Sequence, residues 1–213
     1  MKKSKIWNVP NILTLFRITL IPVMIVFMLV PYFQKPFKDE QFQMMTLGNL
    51  IALGVFILAS ITDFLDGYIA RKYKLVTDFG KLLDPIADKL LVFSALLLFI
   101  EQKQTIKDPG LTIAVVIMLG REFLVTGFRL IAAGKQKVLA ASMMGKVKTA
   151  FSMVVIIFFF VGGYPFTYIK GGAIIFLQVL LYTMVILTVA SGLEFFIKNG
   201  KILFQDEGEK IDG

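Results

Sequence analysis

Apolar residues run along this chain in six blocks, at residues 12–30, 47–69, 82–100, 111–130, 147–161 and 173–197, separated by short polar stretches. Blocks near the roughly 20 residues needed to cross a bilayer predict membrane helices, because a helix satisfies its own backbone in hydrocarbon. The expected fold class is all-α: an integral membrane bundle of six transmembrane helices. Residues 1–204 would form a single domain with an N-terminal juxtamembrane segment, and residues 205–213 a disordered tail. The first block follows Lys2, Lys3 and Lys5 as a secretory signal would, but it is too long, contains Pro22 and lacks a small-residue cleavage site, so it should be retained. Trp7 is placed to anchor at the headgroups. Gly162-Gly163 and Gly171-Gly172, with Pro165 between them, predict the last outer turn.

Composition sharpens this picture. Of 213 residues 57% are hydrophobic, against about 45–50% in soluble domains, and there is neither cysteine nor histidine. That excludes disulfides, thiolate nucleophiles, imidazole bases and cysteine-ligated zinc, so any chemistry must use carboxylates, Lys, Arg, hydroxyls or bound ions. The net charge of +8 would suggest nucleic acid in a soluble protein. In a membrane protein it suggests anionic lipid and cytosolic loops, with no nucleic-acid partner. With both termini on one side of six spans, that side collects 18 of the 23 basic residues, leaving Lys35, Lys38, Lys103, Lys107 and Lys170 opposite. The richer side is assigned to the cytosol.

Ionisable residues inside apolar spans are costly and therefore informative. Arg17 lies in the first block, Asp63 and Asp66 late in the second, Asp84, Asp88 and Lys89 early in the third. Arg121, Glu122 and Arg129 fall late in the fourth, Lys148 early in the fifth and Glu194 late in the sixth. In alternating helices these positions share one depth. Asp63 would sit roughly 12 Å from the helix end near Arg71, at a rise of about 1.5 Å per residue. A polar cavity opening to the cytosol would host all of them. Taken singly, Arg129, Lys137 and Glu194 read better as snorkelling chains or interhelical ion pairs.

On helices, Asp63, Asp66, Gly67 and Ala70 share one stripe, and Gly80, Asp84 and Asp88 another. Four carboxylates would then face each other across two adjacent helices, and in a low dielectric they require cations. Oxygen-only donors favour Mg²⁺, with Mn²⁺ the alternative, and two such ions would balance four carboxylates while clamping a phosphoryl group. Gly67, Ala70 and Gly80 leave room for a ligand, and Arg71 can grip a pyrophosphate. The residues alone leave a second reading open, in which the aspartates form the ion pathway of a divalent-cation transporter.

The pattern Asp-x2-Asp-Gly-x2-Ala-Arg-x8-Gly-x3-Asp-x3-Asp, carried by Asp63, Asp66, Gly67, Ala70, Arg71, Gly80, Asp84 and Asp88, resembles in full the signature of the CDP-alcohol phosphotransferase family. The resemblance extends over nearly the whole chain in span number and placement. It implies that Asp63, Asp66 and Asp84 share two divalent ions and hold the diphosphate of a CDP-linked lipid, and that Asp88, also at the metals, is the general base. It further implies that Gly67, Ala70, Arg71 and Gly80 line the nucleotide pocket, and that the assembly is a homodimer.

The signature does not report the acceptor alcohol. Arg121, Arg129, Lys135, Lys137, Lys146 and Lys148 supply more cations than a neutral alcohol needs, and a phosphorylated acceptor fits them better. The segments Asn8–Arg17, Arg121-Glu122-Phe123 and Gly145-Lys146-Val147-Lys148-Thr149 resemble motifs of the family members that use glycerol 3-phosphate. That resemblance implies phosphate binding by Arg121, Lys135 and Lys148, and secondarily by Arg129 and Lys146, with Thr14 and Arg17 reaching the pocket from the first helix or Arg17 merely pairing with a carboxylate. The expected reaction joins CDP-diacylglycerol, held in the lipid bilayer, to glycerol 3-phosphate, giving phosphatidylglycerol phosphate and CMP. Inositol phosphate, serine or phosphatidylglycerol are the alternative acceptors.

Overall fold

A computed structural model describes residues 8–38, 45–73, 77–102, 109–134, 139 and 142–200, except the side chains of Asp78, Lys81 and Leu82. Trp7, Lys135, Lys137 and the tail from Gln205 lie outside the described residues. The described chain is all-α: α1 (Val9–Leu29), α2 (Leu47–Lys72), α3 (Asp78–Gln102), α4 (Pro109–Gly134), α5 (Met143–Phe160) and α6 (Gly172–Asn199), with a short 3₁₀ turn at Phe166–Tyr168. All except α3 are long and apolar enough to cross a membrane, which makes this an integral membrane protein. In α3 the apolar stretch is interrupted by Asp84, Asp88 and Lys89.

Side-chain oxygens start four of these helices. Asn8 accepts from the Asn11 amide at 3.0 Å and Thr46 from the Asn49 amide at 3.0 Å. Thr77 accepts from the Gly80 amide at 3.1 Å and Ser142 from the Gly145 amide at 3.0 Å. Each satisfies a first-turn N–H that has no partner within its helix. The Ser142 cap explains why α5 begins four residues before the apolar block at 147. The predicted last turn is present, with Gly162, Gly163 and Gly171 at positive φ. At Gly163 a Cβ would lie 3.0 Å from the Ala173 Cβ, so this turn needs glycine for space as well as conformation.

The chain divides into two compact units, residues 1–107 with 156–177, and residues 108–155 with 178–213. In the first unit α1 packs against both α2 and α3, which among the described residues touch each other less. Its core is aromatic: Phe99 meets Phe159 at 5.4 Å and Phe160 at 4.8 Å between ring centroids, and Phe160 meets Phe56 at 5.8 Å. Away from the signature residues, a half-buried polar clasp joins the end of α1 to α2 and α3. There the Gln102 Nε2 lies 2.9 to 3.0 Å from the Met28 carbonyl, Gln34 Oε1 and Asn49 Oδ1. In the second unit Val125, Phe128 and Phe195 form a small core joined by Leu139 and Phe196.

Candidate functional site

An acidic cluster lies within the first unit and is organised by α1. Asn11, Thr14 and Arg17 recur every three residues on one stripe of that helix and are all buried, Thr14 and Arg17 completely. Arg17 forms an ion pair with Asp63, Nη1 to Oδ1 at 2.5 Å, and a second with Asp66 Oδ2 through Nη2. The Thr14 hydroxyl lies 2.7 Å from Asp84 Oδ1 and 3.3 Å from Asp66 Oδ2, with the Pro10 carbonyl at 3.1 Å. Asn11 and Thr77 exchange hydrogen bonds at 2.9 and 3.1 Å, and a Cβ at Gly80 would lie 2.7 Å from Asn11 Oδ1.

The carboxylates of α2 and α3 are linked through α1, whose Thr14 hydroxyl lies within hydrogen-bond distance of both Asp66 and Asp84. Among the described residues no three acidic side chains converge closely enough to hold an ion by themselves. The donor set nevertheless suits a hard divalent cation. A guanidinium already draws Asp63 and Asp66 together, and the contacts from α1 engage one oxygen each of Asp63, Asp66 and Asp84. Arg17 supplies one positive charge against three carboxylates, so the cluster retains an excess of negative charge that a buried site must balance.

The other signature residues are placed as follows. Gly67 is half-buried, and a Cβ there would lie 3.6 Å from Arg71 Nη2, so the Arg71 side chain folds back over this glycine. Arg71 itself is exposed at the end of α2. Ala70 and Asp88 are half-buried.

A basic cluster lies within the second unit. Glu122 Oε1 accepts from Arg121 Nη1 at 2.9 Å and from Lys148 Nζ at 2.5 Å, and Lys148 is buried. Arg121 Nη2 also donates to Ser191 Oγ at 3.1 Å, while its buried Nε has no hydrogen-bond partner among the described residues. Two cations thus share one carboxylate, leaving net positive charge and an unsatisfied guanidinium donor, which suits a phosphate. Arg129 does not join this cluster by any described contact, its guanidinium lying 5.7 Å from the Phe195 ring centroid. Lys146 is exposed, and Lys135 lies outside the described residues. Glu194 pairs with Lys198 at 2.5 Å on the same helix, in place of the interhelical pair or snorkelling chain expected of it.

Asn11, seen in the sequence only as part of the Asn8–Arg17 motif, and Ser191 are contributors to which sequence reasoning assigned no role. The three-residue spacing of Asn11, Thr14 and Arg17 within an apolar span was the available signal for the first; nothing distinguished Ser191 from any helical serine.

The model of the CDP-alcohol phosphatidyltransferase family matches residues 7–193. Among curated relatives, the CDP-diacylglycerol–glycerol-3-phosphate 3-phosphatidyltransferase of Bacillus subtilis (strain 168) is 40% identical over 199 residues, covering 92% of this chain and 97% of the relative. The protein of that name from Rickettsia bellii is 39% identical over 193 residues, covering 89% and 93%. That from Haemophilus influenzae is 34% identical over 203 residues, covering 92% and 96%.

Proposed function

Because the chain belongs to the CDP-alcohol phosphatidyltransferase family, we propose that it transfers the phosphatidyl group of CDP-diacylglycerol to glycerol 3-phosphate, yielding phosphatidylglycerol phosphate and CMP. The observation that carries the choice of acceptor is the basic cluster: Arg121 and Lys148 converge on a single carboxylate oxygen, with a buried guanidinium N–H to spare. A choline- or ethanolamine-like acceptor would bring a cation to cations, whereas a phosphomonoester brings the missing anion.

Asp63, Asp66, Asp84 and Asp88 would hold two Mg²⁺ ions, or Mn²⁺, whose chemical contribution is to neutralise charge on the reacting diphosphate and its leaving group. The protein's own residues do the rest. Asp66, Gly67, Ala70, Arg71 and Gly80 receive the CDP head while the acyl chains stay in the bilayer. Arg121 and Lys148 grip the acceptor phosphate, with Lys135, Arg129 and Lys146 contributing positive potential. Asp88 takes the proton of the acceptor hydroxyl as its oxygen attacks the lipid phosphorus and CMP departs. The one-sided distribution of basic residues supports cytosolic termini and a cytosol-facing site in the cell membrane. A homodimer is the assembly usual for this family.

The test is CMP release by the detergent-purified protein with Mg²⁺, CDP-diacylglycerol and a panel of acceptors. Glycerol 3-phosphate should dominate over inositol phosphate, serine and phosphatidylglycerol. Preference for an uncharged acceptor would refute the role given to Arg121 and Lys148.

A further inference from the structure

The polar stripe of α1 lies outside the signature, yet it touches both of the helices that carry it. Arg17 engages Asp63 and Asp66, Thr14 engages Asp66 and Asp84, and Asn11 engages Thr77, which caps α3 beside Gly80. Among the described residues α1 packs against α2 and α3 more extensively than these two pack against each other, so α1 links their carboxylates. The contacts take Oδ1 of Asp63, Oδ2 of Asp66 and Oδ1 of Asp84. A carboxylate held by one oxygen has its second oxygen fixed in direction, and such outer partners govern how well a ligand set binds its ion. Arg17 is fully buried and cannot exchange these partners for water. Full burial of a guanidinium within an apolar helix is justified only by the carboxylates it meets.

The geometry points to Thr14 and Arg17 as positioning residues that hold Asp63, Asp66 and Asp84 in a ligand-ready arrangement, with Arg17 as the internal counter-cation of the cluster before any ion binds. This rests on the reading that the aspartates bind divalent metal. They act through the aspartates, neither as ligands nor as contacts to the acceptor.

The experiment is Mn²⁺ binding to the full-length protein in detergent, without substrates, followed by electron paramagnetic resonance, alongside thermal unfolding in EDTA. Thr14→Val keeps the shape and removes the hydroxyl. It should weaken Mn²⁺ binding about 10-fold or more, and Thr14→Ser should restore it. Arg17→Met should lower the unfolding temperature in EDTA and also weaken Mn²⁺ binding, while Arg17→Lys keeps the charge, folds, and recovers only part of the affinity because one ammonium cannot span both carboxylates as a fork. In the variants that turn over, KM for glycerol 3-phosphate should stay within about threefold of wild type, the acceptor phosphate being held elsewhere. If Thr14→Val and Arg17→Lys bind Mn²⁺ as wild type does, or if Thr14→Ser fails to rescue, the positioning role is wrong and the residues serve packing alone. If wild type itself binds no Mn²⁺, the metal reading fails first and takes this inference with it.

Discussion

Replacing Gly80 by alanine tests why a signature glycine is there. Its added Cβ would meet Asn11 Oδ1 at 2.7 Å, so about 0.5 Å must be found. Asn11 is poorly able to yield it: the side chain is buried, it exchanges two hydrogen bonds with Thr77, and its amide is capped by Asn8. Overpacking of this kind costs about 1–3 kcal/mol. Loss of an Asn11–Thr77 hydrogen bond adds about 1 kcal/mol, and alanine's better helix propensity returns at most about 1 kcal/mol. Gly80→Ala should therefore destabilise the protein by roughly 1–3 kcal/mol, measured by denaturation in detergent. Asn11→Ala removes the obstructing oxygen, so the double variant should fall short of additivity by at least about 1 kcal/mol. Strict additivity, or a stable Gly80→Ala protein whose only defect is a raised KM for CDP-diacylglycerol, would refute the packing explanation and leave close approach of the nucleotide as the reason for the glycine.

Four further outcomes follow from the same contacts. Lys148→Met, which leaves Glu122 and Arg121 paired but removes a buried ammonium, should raise KM for glycerol 3-phosphate about 10- to 100-fold, in line with about 1.5–3 kcal/mol for a charged hydrogen bond; KM for CDP-diacylglycerol should change little. Asp88→Asn should abolish turnover while CDP-diacylglycerol binding, measured by calorimetry, is largely kept. Gln102→Leu removes the donor shared by Met28, Gln34 and Asn49 and should cost about 1–3 kcal/mol of stability with KM values unaltered. Mg²⁺ at about 100 times its dissociation constant should stabilise the protein against unfolding by about 2.7 kcal/mol relative to EDTA; identical melting with and without Mg²⁺ would count against the acidic cluster as an ion site.

Much of the fold was legible because a membrane enforces simple rules. Apolar block lengths predicted the helices, and Asn8, Thr46, Thr77 and Ser142 are the residue types expected to start them. The acidic signature was readable because a carboxylate within a span is too costly to persist without a cation or a function to hold it there. Helix order in space was not. Spacing says that Asp63 and Asp66 share a stripe, but not that Thr14 of α1 reaches both that stripe and Asp84, because tertiary neighbours leave no periodic mark. The Arg121–Glu122 pair was hidden for a related reason: adjacent residues on a helix do not share a face, and the contact forms only because long side chains bend toward a third partner, Lys148. The expectation that Arg129 joins the phosphate site came from charge and resemblance, whereas the contact described for it is with an aromatic ring.

Each charged cluster contains one residue of the opposite sign, and this accounts for how both persist in an apolar protein. Arg17 among Asp63, Asp66 and Asp84 brings three negative charges down to a net two; Glu122 between Arg121 and Lys148 brings two positive charges down to one. Full neutralisation would make either cluster a structural ion network with little affinity left for a ligand. Leaving it uncompensated would cost several kcal/mol per buried charge. The intermediate state retains the sign complementary to the proposed ligand, cations for the acidic cluster and a phosphate for the basic one, and it leaves donors and acceptors to receive them. Arg17 and Glu122 thus act as minority charges in the sites they occupy: deleting either should make its cluster more highly charged but less ordered, and the geometric loss is expected to outweigh the electrostatic gain.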